Sequence, residues 1–505
     1  MSGTNNHTIP PKWPVQLLRY LLKEEYLEEI EGDMEERFHD NLERYSIRKA
    51  ERLYAWDTLK LFRPVLIRGL KSDLRLNHTA MYRNYFKIGW RNLRKQKMYS
   101  FIKIGGLALG ITACLLIALF IRHELSYDWH YPDADRIYRV IYVYDEQGEL
   151  EKDVFFPAPL ASALKDDFPE VETVGRYLDS ELFGVGNQEV RRGDRKENIY
   201  EEGIVYADQG LLDILQPQFV NGELSQALDK PNTIAISKSK ADKHFPNEDP
   251  LGKTLILNNN ESQPYKIGGV FKDFPTTSHL QYHFLITLTG VEFWPGEQTF
   301  WRASNYPTYI KVQPDTDIAY LESKISENIV KNYYLPSARE AGQVDANEFA
   351  NNLSLTLQPV SDINLYSADI DDDLSHGDIR FVWLFGAIAG FILLIAGINF
   401  INLSTAKSAN RAREVGLRKA VGSVRHQLVH QFLTESLLYS FLSFTLAIVL
   451  SSLLLPYFNE LSGKSLLFPF QAWWLFPLTI TGAIIVGLIS GIYPSFYLSS
   501  FKPIQ

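Results

Sequence analysis

Four short runs in this chain hold residues that could do chemistry. Gly252-Lys253-Thr254 and Gly463-Lys464-Ser465 look like the end of a phosphate-binding loop, whose backbone amides and lysine wrap a nucleotide's phosphates. Such a loop needs a glycine five residues before the Gly-Lys pair, and those positions hold Asn247 and Phe458. Neither run is a phosphate loop. His123-Glu124 begins like a zinc-protease helix, but the second histidine is replaced by Tyr127. His279 and His283 have the i, i+4 spacing of helical metal ligands. Pro275 before them and the β-rich stretch after them make the segment a loop entering a strand. No Gly-x-Ser-x-Gly occurs, and the lone Cys114 lies in an apolar block, so neither a nucleophile nor an intrachain disulfide is expected. No catalytic residue, metal site or cofactor is assigned to this chain.

The 505 residues suffice for two or three domains, and the net charge of −9 argues against nucleic acid as a partner. A hydrophobic content of 46% is ordinary for a soluble protein, but the apolar residues are gathered into blocks. Four reach the length of about 20 residues that crosses a bilayer. They are Ile102 to Ile121, Phe381 to Leu403, about Phe432 to Leu455, and Trp473 to about Tyr493, where Pro494 ends or kinks the helix. The first begins about a hundred residues in, behind a charged region, so the first span itself directs insertion.

Basic residues near span ends set orientation. Arg83, Lys87, Arg91, Arg94, Lys95 and Lys97 precede the first span. Lys407, Arg411, Arg413, Arg418, Lys419 and Arg425 lie between the second and third, whereas Asp369, Asp371, Asp372 and Asp373 precede the second. Both basic flanks belong in the cytoplasm, with both termini inside and residues 122–379 outside. Small residues on the spans form Gly-x-x-x-Gly pairs at Gly106/Gly110, Gly386/Gly390 and Gly487/Gly491, which let helices approach closely in lipid. They predict a packed bundle, with room for a second copy.

Four regions follow. Residues 10–76 read as a helical cytoplasmic unit, with leucines including Leu59, Leu61 and Leu66 at helical spacing and a charged helix from Lys23 to Arg52. Residues 84–121 are an amphipathic lead-in and the first span. Residues 122–379 form a mixed domain, α+β or α/β, of two lobes. Its strands are expected at Ile137 to Tyr144, Thr233 to Ser237, Thr254 to Leu257, Tyr265 to Phe271, Thr308 to Val312 and Leu353 to Pro359, with helices at Pro159 to Asp167 and Ile318 to Tyr334. Residues 380–505 hold the other three spans. Between the second and third, Arg413, Glu414, Val415, Gly416, Arg418 and Lys419 predict a short amphipathic helix that Gly422 caps.

There the chain resembles the FtsX/MacB-like ABC transporter permeases. Arg413-Glu-Val-Gly-Leu-Arg-Lys-Ala-Val-Gly422 and Phe432-Leu-Thr-Glu-Ser436 are similar to that family's cytoplasmic signature. Asn92-Leu-Arg-Lys95, Ala134-Asp-Arg-Ile-Tyr-Arg-Val140, Pro159 to Val171, Asp249-Pro-Leu-Gly-Lys253 and Gly487 to Pro503 continue the likeness, and residues 10–76 resemble a prefix domain found before some of these permeases. The resemblance implies an α-helical membrane protein with four transmembrane helices in the inner membrane and a MacB-type periplasmic core domain. It implies a separate cytoplasmic ATPase, carrying ATP and Mg, that docks on the Arg413–Gly422 segment, and a second permease unit beside the first. ATP-driven closure would then move the periplasmic domain by mechanotransmission. It implies export or efflux of a lipophilic compound, peptide or lipoprotein or, alternatively, activation of periplasmic cell-wall hydrolases through a partner protein. Relatives with this prefix often carry a second unit and eight spans, so the chain is either a half-unit that dimerises or a truncated copy of a longer protein.

Overall fold

The computed structural model describes residues 10–21, 24–60, 76–420, 425–470 and 472–500. Its contacts divide the chain into two compact units. One gathers the described residues of Met1–Gly105, Asn399–Ser443 and Leu478–Gln505, the other Gly106–Ile398 and Phe444–Pro477.

In the first unit the N-terminal residues form three helices, Lys12–Leu21, Glu24–Arg44 and Ile47–Lys60. Met34, Phe38, Ala50 and Tyr54 build their small core. The charged helix expected from Lys23 to Arg52 is broken at Tyr45 and Ser46, because the Ser46 carbonyl takes the amides of Lys49 and Ala50 and starts a new helix. Lys23, Leu61 and Leu66 fall outside the described residues, as does the side chain of Leu59. A helix Leu76–Lys95 leads, after a one-residue break at Gln96, into the first span helix, Lys97–Glu124.

Among the described residues, four helices are long and apolar enough to cross a membrane: Lys97–Glu124, Ile379–Ala406, Val429–Ser462 and Leu475–Ile492. Two of them extend further than their sequence suggests. The second helix runs unbroken from Ile379 to Ala420, so the segment expected as a separate short helix is its direct continuation. Between the span and Ala420 stand no proline and one glycine, Gly416, and good helix formers such as Ala409, Arg411, Ala412 and Arg413 carry the helix on. The fourth helix does not stop at Pro494 but continues to Ser500. One lost hydrogen bond is tolerated in membrane helices, whose neighbours can satisfy the freed carbonyl.

Close glycine packing holds two helix pairs together. An added Cβ at Gly487 would lie 3.0 Å from the Leu437 Cα, and one at Gly491 would lie 3.1 Å from the Ser436 Cβ. Ser440 donates to the Ala483 carbonyl at 2.9 Å across the same seam. In the other unit a Cβ at Gly110 would come within 2.5 Å of the Ala396 Cβ. Gly110→Val is therefore expected to cost about 1–3 kcal/mol by overpacking, seen as a lower unfolding midpoint in detergent, whereas Gly390→Val, with no atom within 4 Å of its Cβ, should leave it unchanged.

Thirteen strands, among the described residues, form the domain inserted between the first and second spans. Strands Ile199–Ala207, Gly186–Arg192, Thr254–Leu257, Tyr265–Phe271, Thr233–Ser237 and Phe284–Thr287 pair in that order. The last pairs back on the first, with Phe284 opposite Ile204, closing a six-stranded ring. Inside it pack Val190, Ile204, Ile236, Leu255, Ile267 and Phe284. The second lobe is an antiparallel sheet of Val171–Leu178, Tyr306–Val312, Ile137–Glu146 and Leu353–Pro359. Helices Leu160–Asp167 and Ile318–Ile329 are buried with it around Val140, Leu164, Ile310, Leu321 and Ile325. The lobes meet where Val171–Leu178 pairs with Ile199–Ala207 through Tyr177↔Ala207 and Leu178↔Tyr206. The expected helix from Ile318 to Tyr334 ends at Ile329, and Val330–Tyr334 forms a π-helical turn.

Candidate functional site: the membrane junction

Two of the runs that failed as catalytic motifs have structural work. Gly252 sits at φ +76° in a turn before the strand Thr254–Leu257, and Lys253 pairs with Glu248. His279 and His283 lie in the loop before Phe284–Thr287 and face different partners: His279 the Tyr309 hydroxyl at 2.8 Å, His283 the Ser237 hydroxyl at 3.1 Å. Asp273 also lies beside His283, but it approaches Nδ1, the same nitrogen that meets Ser237, so the three cannot relay a proton as a catalytic triad does.

The other two runs meet each other. Glu124 closes the first span helix, and its carboxylate is 3% exposed. Lys464 lies 2.8 Å from it and 3.1 Å from the Tyr127 hydroxyl. Local structure aims the lysine: Gly463, at φ +65°, stops the third span helix, and the Asn459 side chain holds Leu466 by both its amide and its carbonyl. Leu466 then packs on Leu116 and Leu455. The Glu124 carboxylate also accepts from Asn364 at 3.2 Å, and Asn364 accepts from the Gly377 amide at 3.3 Å. A Cβ at Gly377 would lie 2.4 Å from the Glu124 carboxylate. One buried carboxylate thus ties the first span, the end of the inserted domain, the approach to the second span and the loop between the third and fourth. Burial opposes the Lys464 charge, but Glu124 and Tyr127 outweigh it and raise the pKa above the usual lysine value.

A second buried network lies at the base of the inserted domain. Arg139 is fully buried on the first long strand, 2.5 Å from Asp372. It also donates to Gln358 at 2.7 Å and Ser367 at 2.9 Å. His376 lies 2.6 Å from the other Asp372 oxygen. Burial would raise the Asp372 pKa, but hydrogen bonds from His376 and Arg139 hold it below the usual carboxylate value. Sequence reading counted Asp372 only as an acidic flank, and no local signal pairs it with a residue 233 positions away.

Arg413, Glu414, Val415, Gly416, Arg418 and Lys419 all lie on the extension of the second helix, while Gly422 falls outside the described residues. On the first span helix, Lys103 is 4% exposed, its ammonium 4.2 Å from the Phe400 ring and 4.4 Å from the Tyr439 ring.

The family model for the MacB-like periplasmic core domain matches residues 100–328, and that for the FtsX-like permease C-terminal region matches residues 386–503. The chain belongs to the MacB/FtsX family of ABC transporter permeases. It is similar to the ABC transporter permease YvrN of Bacillus subtilis, 23% identical over 442 residues, which cover 83% of this chain and 98% of that one. It is also similar to the macrolide export ATP-binding/permease protein MacB of Aggregatibacter actinomycetemcomitans, 24% identical over 262 residues. That match covers 50% of this permease but 35% of the MacB chain, so the permease spans about a third of that relative's length. Among solved structures, a permease-protein domain from Porphyromonas gingivalis is 22% identical, covering 45% of this chain and 92% of that one with a TM-score of 0.35. The periplasmic region of MacB from Actinobacillus actinomycetemcomitans is 13% identical, covering 46% and 91%, with a TM-score of 0.29.

Proposed function

We propose that this permease is the membrane subunit of an ABC exporter, with both termini in the cytoplasm and the inserted domain on the outer side of the inner membrane. A separate ATPase, holding ATP and Mg, docks on the helix extension that carries Arg413 to Lys419. The observation that carries this reading is the unbroken helix Ile379–Ala420. At 1.5 Å per residue it extends about 60 Å, longer than the roughly 30 Å a hydrocarbon core requires. A movement imposed at its basic end is therefore passed along one stiff element to the inserted domain.

A second permease unit completes the assembly along this helix. Its own chain buries 6% of the Ile379–Ala406 span, against 28–33% for the other three. Gly386 meets only the Ile121 side chain, at 3.8 Å, and Gly390 meets nothing within 4 Å. The ligand moved is a lipophilic compound, a reading supported by a ring-lined cavity in the inserted domain.

The test is co-purification from membranes. The wild-type chain should recover a separate ATPase, and Glu414→Arg should abolish recovery while leaving membrane insertion intact. Recovery of no ATPase by the wild type would end the transporter reading. Recovery of an ATPase together with a cell-wall hydrolase, and no ligand flux in vesicles, would replace export with regulation.

A further inference from the structure

The ring-lined cavity measures about 370 Å³, within the range of small-molecule sites. Its walls come from five separate pieces of the second lobe, which supply Tyr142, Phe155, Trp301, Tyr334 and Phe349. These rings pack against the lobe's core, but those that line the cavity meet edge to face rather than in a stack. Trp301 stands at 73° to Tyr334 with centroids 5.6 Å apart, and Tyr142 stands at 63° to Tyr334 at 6.3 Å. Rings inclined this steeply to one another leave edges and faces of several aromatic side chains along the cavity wall. Tyr333 stacks behind Trp301 at 4.5 Å and fixes its plane.

The backbone is irregular where this happens. Tyr333 and Tyr334 belong to the π-helical turn, and a regular helix would rotate Tyr334 away from its place in the wall. Such turns are rare and concentrate at functional sites.

The cavity also holds one carboxylate that the domain leaves without a counter-charge. Asp153 lines it and is half-buried. Its oxygen accepts from the Phe155 amide at 2.7 Å, and no lysine, arginine or histidine among the described residues forms an ion pair with it. Arg302 stands at the rim, but its guanidinium lies over the Phe300 ring at 4.9 Å. Lys152, next in sequence, is engaged by Asp369 at 2.6 Å. Asp371 pairs with Asp153 through a backbone bridge, and it and Asp373 add negative potential.

We propose that this cavity binds an organic cation: a tertiary or quaternary ammonium carried on an apolar body, its charge held between the rings and the Asp153 carboxylate. Aromatic faces attract such cations, and attraction strengthens where water is excluded. A compact ammonium such as free lysine, strongly hydrated and without an apolar body, would gain little from the rings. Binding itself does not depend on the export reading; only the statement that the bound cation is what the permease moves rests on it.

Burial and the neighbouring acids raise the Asp153 pKa above the usual aspartate value. A bound cation favours the ionised carboxylate, so affinity should fall as pH drops through that raised value, with proton release on binding there. The other groups facing Asp153 are Asp371, Asp373, the Tyr142 and Tyr334 hydroxyls and, at the rim, Arg302. The burial-raised tyrosines stay neutral and the arginine charged throughout this window.

The experiment titrates the full-length chain in detergent with benzyltrimethylammonium and with its uncharged carbon isostere, neopentylbenzene, following tryptophan fluorescence and heat. The cation should bind at least tenfold more tightly than the isostere at pH 7, and Asp153→Asn should remove that preference with an unchanged melting midpoint. Trp301→Leu should weaken the cation severalfold. Equal binding of the two probes, absence of cation binding, or an unaltered preference in Asp153→Asn would each overturn the assignment. None of these outcomes depends on whether an ATPase co-purifies.

Discussion

Replacing Arg139 with methionine is expected to destabilise the inserted domain by about 3–5 kcal/mol, the usual cost of removing one partner from a buried ion pair. That is a large share of a domain's total stability of about 5–15 kcal/mol. The chemistry is one-sided: methionine fills the aliphatic path of the arginine, but Asp372, Gln358 and Ser367 lose their shared donor. Thermal unfolding in detergent should show the loss, and Arg139→Met with Asp372→Asn should recover part of it because the stranded charge is gone. The pH dependence has a definite sign. Asp372 is depressed in the folded chain, so its contribution is fully present above the unfolded aspartate value of about 3.9 and is lost as pH falls through the lower folded value. Arg139→Met removes one of the two groups that depress it, so the variant should lose less stability than the wild type over that acid range. Equal midpoints of wild type and variant at pH 7 would show that the network carries no net stability.

Glu124→Leu should cost about 2–4 kcal/mol, somewhat less because Lys464 keeps some contact with water. The leucine leaves a lysine ammonium 3.1 Å from a tyrosine hydroxyl with no carboxylate to balance it, and Asn364 loses an acceptor. The informative measurement is a double-mutant cycle. Glu124→Leu with Lys464→Met replaces the pair by apolar side chains and should be more stable than Glu124→Leu alone, giving a coupling energy of about 1–3 kcal/mol. Additive losses would mean that the two residues act independently, and the junction would have to be held by packing around Leu116, Leu455 and Leu466 instead.

The two ion pairs show where sequence reading stops. Strong local pattern was legible: the strands Thr233–Ser237, Thr254–Leu257, Tyr265–Phe271 and Leu353–Pro359 have the expected bounds. So do the four apolar helices to within a few residues of most ends. Elements without such pattern were missed. Gly186–Arg192 reads as a polar run because two of its arginines are buried through ion pairs rather than apolar contacts. Phe284–Thr287 was legible only as a β-rich stretch after His283, because four residues buried on both faces show no alternation. The closed ring depends on its pairing with Ile199–Ala207, which no local signal announces. Glu124 and Lys464 were noticed only as parts of motifs that failed, since their partnership joins positions 340 apart. The cavity lay deeper still: Asp153 and Trp301 share no motif, and the π-turn that sets Tyr334 is a departure from the helical period itself.

The pairing of the inserted domain's first and last long strands governs how it would answer a pull. Ile137–Glu146 and Leu353–Pro359 are antiparallel neighbours, registered from Tyr138↔Pro359 to Tyr144↔Leu353. The chain enters and leaves at the same end of this seam. Drawing those two ends apart would open it like a zip, loading one rung at a time, where a sliding pull would load all seven rungs together. The Arg139–Asp372 bond lies at the open end, one residue from the first rung. It acts as the clasp, and a stroke delivered through the spans would turn the domain as a body for as long as that clasp holds.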